Sequence, residues 1–215
     1  MGFMHHPFPM QIFRAYDIRG KVSLLNVSMV NAIAHGLAQQ YQSAGQTRVA
    51  IGYDARLSSP TYAHIIQRTL SLYAIEAHII GCCSSPMLYY TSREFDGNGI
   101  MITASHNPRE DNGIKWLINN QPPCPEMIQA VGQEAQKYYS DELQQIDWIE
   151  HEIIPEYCLK YQQSILNDIQ LKRRYRVVLD GLNGSAGRCA ALVLNKLGCD
   201  LTTIRTEANG HFPDH

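Results

Sequence analysis

The densest chemistry in the sequence lies in the run Gly99-Ile-Met-Ile-Thr-Ala-Ser-His-Asn-Pro-Arg-Glu-Asp-Asn-Gly-Ile-Lys115. An apolar stretch from Gly99 to Thr103 gives way to a polar loop from Ala104 to Asn112, and an apolar pattern resumes at Gly113. Strand, loop and strand follow from that pattern, so Ser105, His106 and Asn107 stand at a sheet end, where open α/β folds bind ligands. Pro108 fixes the backbone behind them, and Lys115 returns a cation close in sequence. Three uses of the Ser105 hydroxyl stay open. A hydrolase nucleophile would want a G-x-S-x-G elbow, which Ala104 and Asn107 do not give, and His106, as the next residue, cannot easily reach back as its base. A turn-capping hydroxyl needs nothing more than the loop itself. A phosphoryl acceptor needs cations and donors nearby, which this loop could offer.

Other polar runs carry weaker signals. Phe13-Arg-Ala-Tyr-Asp-Ile-Arg-Gly20 places Arg19 near Asp17, and a surface ion pair of that kind is worth little. Gly52-Tyr-Asp-Ala-Arg-Leu-Ser-Ser59 reads as strand end and polar loop. Asp180-Gly-Leu-Asn-Gly-Ser-Ala-Gly187 is a strand, glycine turn and helix start that could face an anion. It lacks both G-K-[ST] and G-x-G-x-x-G, so a structural turn is the better reading. His5 with His6, and His211 with His215, are candidate metal pairs, the first in a floppy leader.

The elements that must hold these residues alternate. Val30, Ile33, Ala34, Leu37, Ala38 and Tyr41 share a helix face that Gly45 ends, and a buried strand follows over 48–53. Ser59 and Pro60 predict the N-cap and first residue of a helix burying Ala63, Ile66, Leu70 and Tyr73. Strands are expected over 76–81, 99–103 and 113–118, and a helix over 126–139. After a weakly patterned connector at 141–149, a helix is expected over 155–171, a strand over 175–180, a helix over 185–197 and a strand over 201–204. The fold class is α/β, with a mixed, partly parallel sheet sandwiched by helices over 1–150 and an incomplete second α/β unit over 151–215.

The 215 residues are 45% hydrophobic and 18% charged, with a net charge of −2. Nothing there supports a nucleic-acid partner, and no stretch is long and apolar enough for a transmembrane helix. The six cysteines form no C-x-x-C pair and read as reduced thiols, which points to the cytoplasm.

T-A-S-H-N-P followed by D-N-G-I-K resembles the active-site loop of the α-D-phosphohexomutase superfamily. Phe13 to Gly20 is similar to the F-R-x-Y-D-I-R-G of its phosphomannomutase/phosphoglucomutase type rather than the F-G-T-D-G-I-R-G of phosphoglucosamine mutases, a second alternative. The runs at 52–59 and 180–187 resemble its G-x-D-x-R-x-S and D-x-x-N-G-x-x-G, and the stretch ending at His215 its F-P-x-H-H-P-x-P.

The resemblance implies interconversion of hexose 6-phosphate and hexose 1-phosphate, of mannose or glucose, through a phosphoserine and a bisphosphorylated sugar. It gives Ser105 the phosphoryl group, Lys115 and Arg19 charge neutralisation and proton handling, and His106 and Asn107 the shaping of the loop. Tyr16, Arg19, Asn107 and Lys115 would meet substrate, while Asp54 and Arg56 would brace the loop. Mg²⁺ would sit on a phosphoryl oxygen of Ser105, and glucose or mannose 1,6-bisphosphate would serve as activator. The family's acidic metal loop, sugar-recognition loop and C-terminal phosphate loop are absent from these residues. C-terminal domains are therefore expected to complete the site, and the chain alone is expected to be inactive. A non-enzymatic remnant that binds sugar phosphate or a partner is the alternative.

Overall fold

A computed structural model describes residues 8–140, 150 and 154–213. The connector at 141–149, His5, His6 and His215 lie outside the described residues.

A short strand β1 (Ile18–Lys21) precedes helix α1 (Val27–Ser43). Asn26 caps α1 by accepting the Met29 N–H at 2.9 Å, and Gly45, at φ 68°, turns the chain out of it. Strand β2 (Arg48–Tyr53), helix α2 (Ser59–Ser71), strand β3 (Glu76–Cys82) and helix α3 (Ser85–Thr91) follow. Strands β4 (Gly99–Ile102) and β5 (Asp111–Leu117) flank the polar loop, and helix α4 (Pro125–Tyr138) ends this part. The sheet order is β1-β5-β4-β2-β3. β2 runs parallel to β3 and β4, whereas β5 is antiparallel to both β4 and β1. The expected mixed, partly parallel sheet is therefore present.

Helices α1, α2 and α4 cover one face around a core that includes Ile33, Leu37, Tyr41, Ile51, Ile66, Ile100, Trp116 and Val131. α3 covers the other face with Met87 and Leu88 against Ala50, Ile80, Cys83 and Met101. Helix α5 (Pro155–Asp168), assigned by sequence to the second unit, packs Tyr157, Cys158 and Tyr161 on this same cluster. Strand β6 (Arg176–Asp180), helix α6 (Gly187–Lys196) and strand β7 (Asp200–Ile204) form a parallel two-stranded sheet with one helix.

Element ends depart from expectation where side chains have other partners. Ser58, not Ser59, is the N-cap residue of α2, and neither hydroxyl caps. Ser59 Oγ instead donates to Asp54 Oδ1 at 2.9 Å, and Ser58 Oγ accepts from Asn112 Nδ2 at 2.7 Å. Residues that could close a helix thus tie the Asp54 loop to β5. α5 stops at Asp168 rather than Leu171, and α6 starts at Gly187 rather than Ser185. β1 and α3 were not expected from sequence; β1 is four residues long, and its hydrogen-bonded partner lies almost a hundred residues away.

Candidate active site

Asp17, Arg19 and Lys115 converge because β1 and β5 pair in register, Ile18 opposite Ile114 and Arg19 opposite Gly113. Alternation along each strand turns Ile18 and Ile114 into the core and puts Arg19, Gly113 and Lys115 on the other face. Gly113 is required there: a Cβ would lie 2.6 Å from the Ile18 carbonyl oxygen and 2.8 Å from that of Thr103. Arg19 pairs with Asp17 Oδ2 at 2.5 Å, and Lys115 Nζ lies 3.9 Å from the same oxygen. Arg19 is mostly buried, so this is not the exposed pair of little worth that the sequence allowed. Its Nη1 donates to Asn107 Oδ1 at 3.0 Å, which joins the cationic strand pair to the Ser105 loop. Its Nε is buried and has no partner among the described residues. Two cations share the Asp17 carboxylate on one side of Asn107, and the Asp111 carboxylate lies on its other side.

Ser105 is exposed at the end of β4 in the left-handed region, with φ 57°. A non-glycine residue held there costs energy, and such strain collects at functional sites. What holds it is visible. Its N–H donates to Thr103 Oγ1 at 2.9 Å, and Thr103 Oγ1 donates to Asp54 Oδ2 at 2.7 Å. Arg56, 3% exposed, donates from Nη2 to the carbonyls of Ser105 (3.1 Å) and Asn107 (2.8 Å). Its Nη1 donates to those of Pro108 (2.6 Å) and Asp111 (2.8 Å), and its Nε to Asp54 Oδ2 at 3.1 Å. All the guanidinium donors are satisfied, which a buried charge requires. Asn107 closes the loop by donating from Nδ2 to Asp111 Oδ2 at 2.7 Å.

With Ser105 in this conformation, His106 Nδ1 lies 3.4 Å from Ser105 Oγ. From sequence, His106 as the next residue is not expected to reach back easily as a base. The contact is long, and among the described residues no hydrogen bond orients the other ring nitrogen. Tyr16 is 86% exposed, and no hydrogen bond among the described residues ties it to the loop. Ser105, His106, Asn107, Arg56 and Phe212 line one cleft of about 540 Å³. Sequence reasoning gave no role to Thr103 or Phe212. Thr103 could have been found as the last polar residue before the loop, whereas Phe212 is more than a hundred residues away.

Mg²⁺ demands several hard oxygen donors in octahedral array. Among the described residues no three His, Cys, Asp or Glu side chains converge. The carboxylates in and around the loop already have partners: Asp17 with Arg19 and Lys115, Asp54 with Arg56, Glu110 with Arg109, and Asp111 with Asn107. These residues do not make a Mg²⁺ site by themselves, and His211 is not part of a metal cluster with other described residues.

Residues 10–142 match the family model for phosphoglucomutase/phosphomannomutase, alpha/beta/alpha domain I. The chain is 32% identical over 210 residues to a phosphomannomutase/phosphoglucomutase of Pseudomonas aeruginosa, covering 96% of this chain and 44% of that one. It is 33% identical over 206 residues to a phosphoglucomutase of Neisseria meningitidis, with 95% and 44% covered. A solved phosphoglucomutase/phosphomannomutase family protein from Burkholderia thailandensis superposes with a TM-score of 0.83 at 25% identity, covering 96% of this chain and 46% of its own. The chain thus spans less than half the length of these relatives. With that domain model matching well over half its length, and with relatives aligned along nearly all of it, this chain belongs to the phosphoglucomutase/phosphomannomutase family.

Proposed function

We propose that the gene product carrying this chain interconverts hexose 1-phosphate and hexose 6-phosphate, of glucose or mannose, with Ser105 as the residue that gives and takes the phosphoryl group. The observation that carries this reading is the strained, exposed Ser105, clamped by Arg56 and faced by the Arg19–Asn107 bridge. In the forward half, the bond between phosphorus and Ser105 Oγ breaks as a sugar hydroxyl oxygen bonds to phosphorus. The hydroxyl proton leaves and Ser105 Oγ regains one, and the product is a sugar bisphosphate. After the sugar turns over, its other phosphoryl returns to Ser105 and the proton flow reverses. A phosphoserine carries nearly two negative charges, which Arg19 and Lys115 would balance. Lys115, on the open side of Asp17, is the group assigned to proton handling. Residues 151–215 are assigned to an incomplete second unit, whose continuation would supply the carboxylates for Mg²⁺ and the contacts to the sugar.

The test is a coupled assay on the full-length gene product with glucose 1-phosphate and mannose 1-phosphate, primed with the 1,6-bisphosphate. Wild type should turn over, and its Ser105 peptide should carry a phosphoryl group that phosphatase removes. Ser105→Ala should lose at least about a thousandfold in kcat, as removal of a reacting nucleophile does. Normal turnover by Ser105→Ala would end the proposal. The Ser105–His106 contact supports a serine-hydrolase alternative, which predicts labelling of Ser105 by a fluorophosphonate; no labelling is expected.

A further inference from the structure

We propose that Phe212 is a positioning residue for the Ser105 loop, holding the Arg56 guanidinium and, through it, the loop carbonyls; this rests on the function proposed above. All the in-plane donors of Arg56 are occupied, four of them on carbonyls of residues 105–111. What remains of the guanidinium is its face, and the Phe212 ring centre lies 5.8 Å from Arg56 Cζ, within cation–π reach. Tilting the guanidinium would move every carbonyl it holds.

The chain accepts strain to put the ring there. Phe212 has φ 45°, in the left-handed region that a bulky residue rarely adopts. Gly210 packs so closely on the Arg56 loop that a Cβ would lie 2.4 Å from the Ala55 carbonyl oxygen and 2.9 Å from the Leu57 nitrogen. The turn itself is fixed by the Phe212 N–H donating to the Asn209 carbonyl at 3.1 Å and the His211 N–H donating to Asn209 Oδ1 at 3.0 Å.

The glycine turn after β6 anchors that segment. Asn183 donates its N–H to the Arg205 carbonyl at 2.9 Å and its Nδ2 to the Glu207 carbonyl at 3.0 Å. The Asn183 carbonyl accepts the Asn209 N–H at 2.9 Å. Gly181 and Gly187 admit the same strand of chain: a Cβ would lie 2.7 Å from the Arg205 carbonyl oxygen at one and 2.6 Å from that of Thr206 at the other. The run Asp180–Gly187 thus acts as a clasp, not an anion site: it orders residues 205–209, which carry Phe212 to the rim of the Ser105 cleft.

The test uses amide hydrogen exchange on the full-length gene product, with Phe212 replaced by Ala, Leu and Tyr. Phe212→Ala should speed exchange over residues 104–112 by about 3- to 30-fold, the span of one cation–π contact, and leave α1 and α4 unchanged. Phe212→Tyr should restore protection, and Phe212→Leu, which keeps apolar bulk without a π face, should not. Asn183→Ala should loosen 104–112 in the same direction. In the same variants, phosphoryl uptake by Ser105 from glucose 1,6-bisphosphate should slow at saturating donor while KM holds. Unchanged loop exchange in Phe212→Ala, or full rescue by Leu, would overturn the positioning role. Failure of wild type to take up a phosphoryl group at all would instead overturn the function proposed above, and the exchange arm would still decide the role of Phe212.

Discussion

At the scale of single residues, Arg56 shows best how chemistry and stability share an atom set. Its side chain is buried, and every donor meets an acceptor in the loop or in Asp54. Lysine offers three donors on a flexible stem where arginine offers five in a rigid fork. Arg56→Lys should therefore strand at least two of the acceptors that face the buried guanidinium, at about 1–3 kcal/mol each. We expect a loss of about 3 kcal/mol in urea unfolding, together with a lower signal in the coupled assay proposed for the full-length gene product; an unchanged midpoint would show that the carbonyls find water instead. Within the candidate site, Ser105, His106, Asn107 and Lys115 could be singled out in sequence because they lie in one short run. That Arg19 is buried and bridged to Asn107 was not, because it depends on the register of a strand that sequence did not announce. Thr103 and Phe212 were missed for a related reason: their partners, Asp54 and Arg56, are remote in sequence.

At the scale of elements, α1 and α4 meet at a glycine. A Cβ on Gly36 would lie 2.8 Å from the Val131 carbonyl oxygen, and backbone cannot yield as a side-chain tip can. Two effects compete in Gly36→Ala. Helix propensity favours alanine by about 1 kcal/mol. Overpacking against backbone costs about 1–3 kcal/mol. The clash should win, and Tm should fall; a rise would mean the helices part freely. The same helices carry a titratable contact. His35 on α1 stacks on Tyr138 of α4 with ring centres 3.9 Å apart, and its Nδ1 lies 2.7 Å from the Tyr73 hydroxyl. Burial lowers the His35 pKa from 6.5, with the Glu134 carboxylate opposing. The unfolded chain therefore binds the proton more readily than the folded one. This contribution is complete above pH 6.5 and is lost as the pH falls through the lower folded value. Tm should drop more between about pH 7.5 and about pH 5.5 in wild type than in His35→Phe, which keeps the stack and removes the titration. Equal slopes would remove His35 from the account. Sequence periodicity found α1, α2 and α4 because each has an apolar stripe, while α3, at seven residues, is too short to show one.

At the scale of the whole molecule, the two sheets differ in how much they bury. β2 and β4 lie inside a five-stranded sheet with helices on both faces, and their interior residues are almost wholly buried. β6 and β7 form a parallel pair, an arrangement normally covered on both faces. Here Val178 is 70% exposed and Ile204 44%. A two-stranded sheet is marginal in water, and the buried residues of α6 are few. The 215-residue chain should therefore not unfold in one step. Amides of 176–204 should exchange near the rate of local opening, while those of 48–53 and 99–102 should open only with global unfolding. Because the clasp at Asn183 and the ring of Phe212 belong to the weaker part, its melting should also loosen residues 104–112 without unfolding the sheet beneath them. A single cooperative transition by exchange and calorimetry would refute this division of stability.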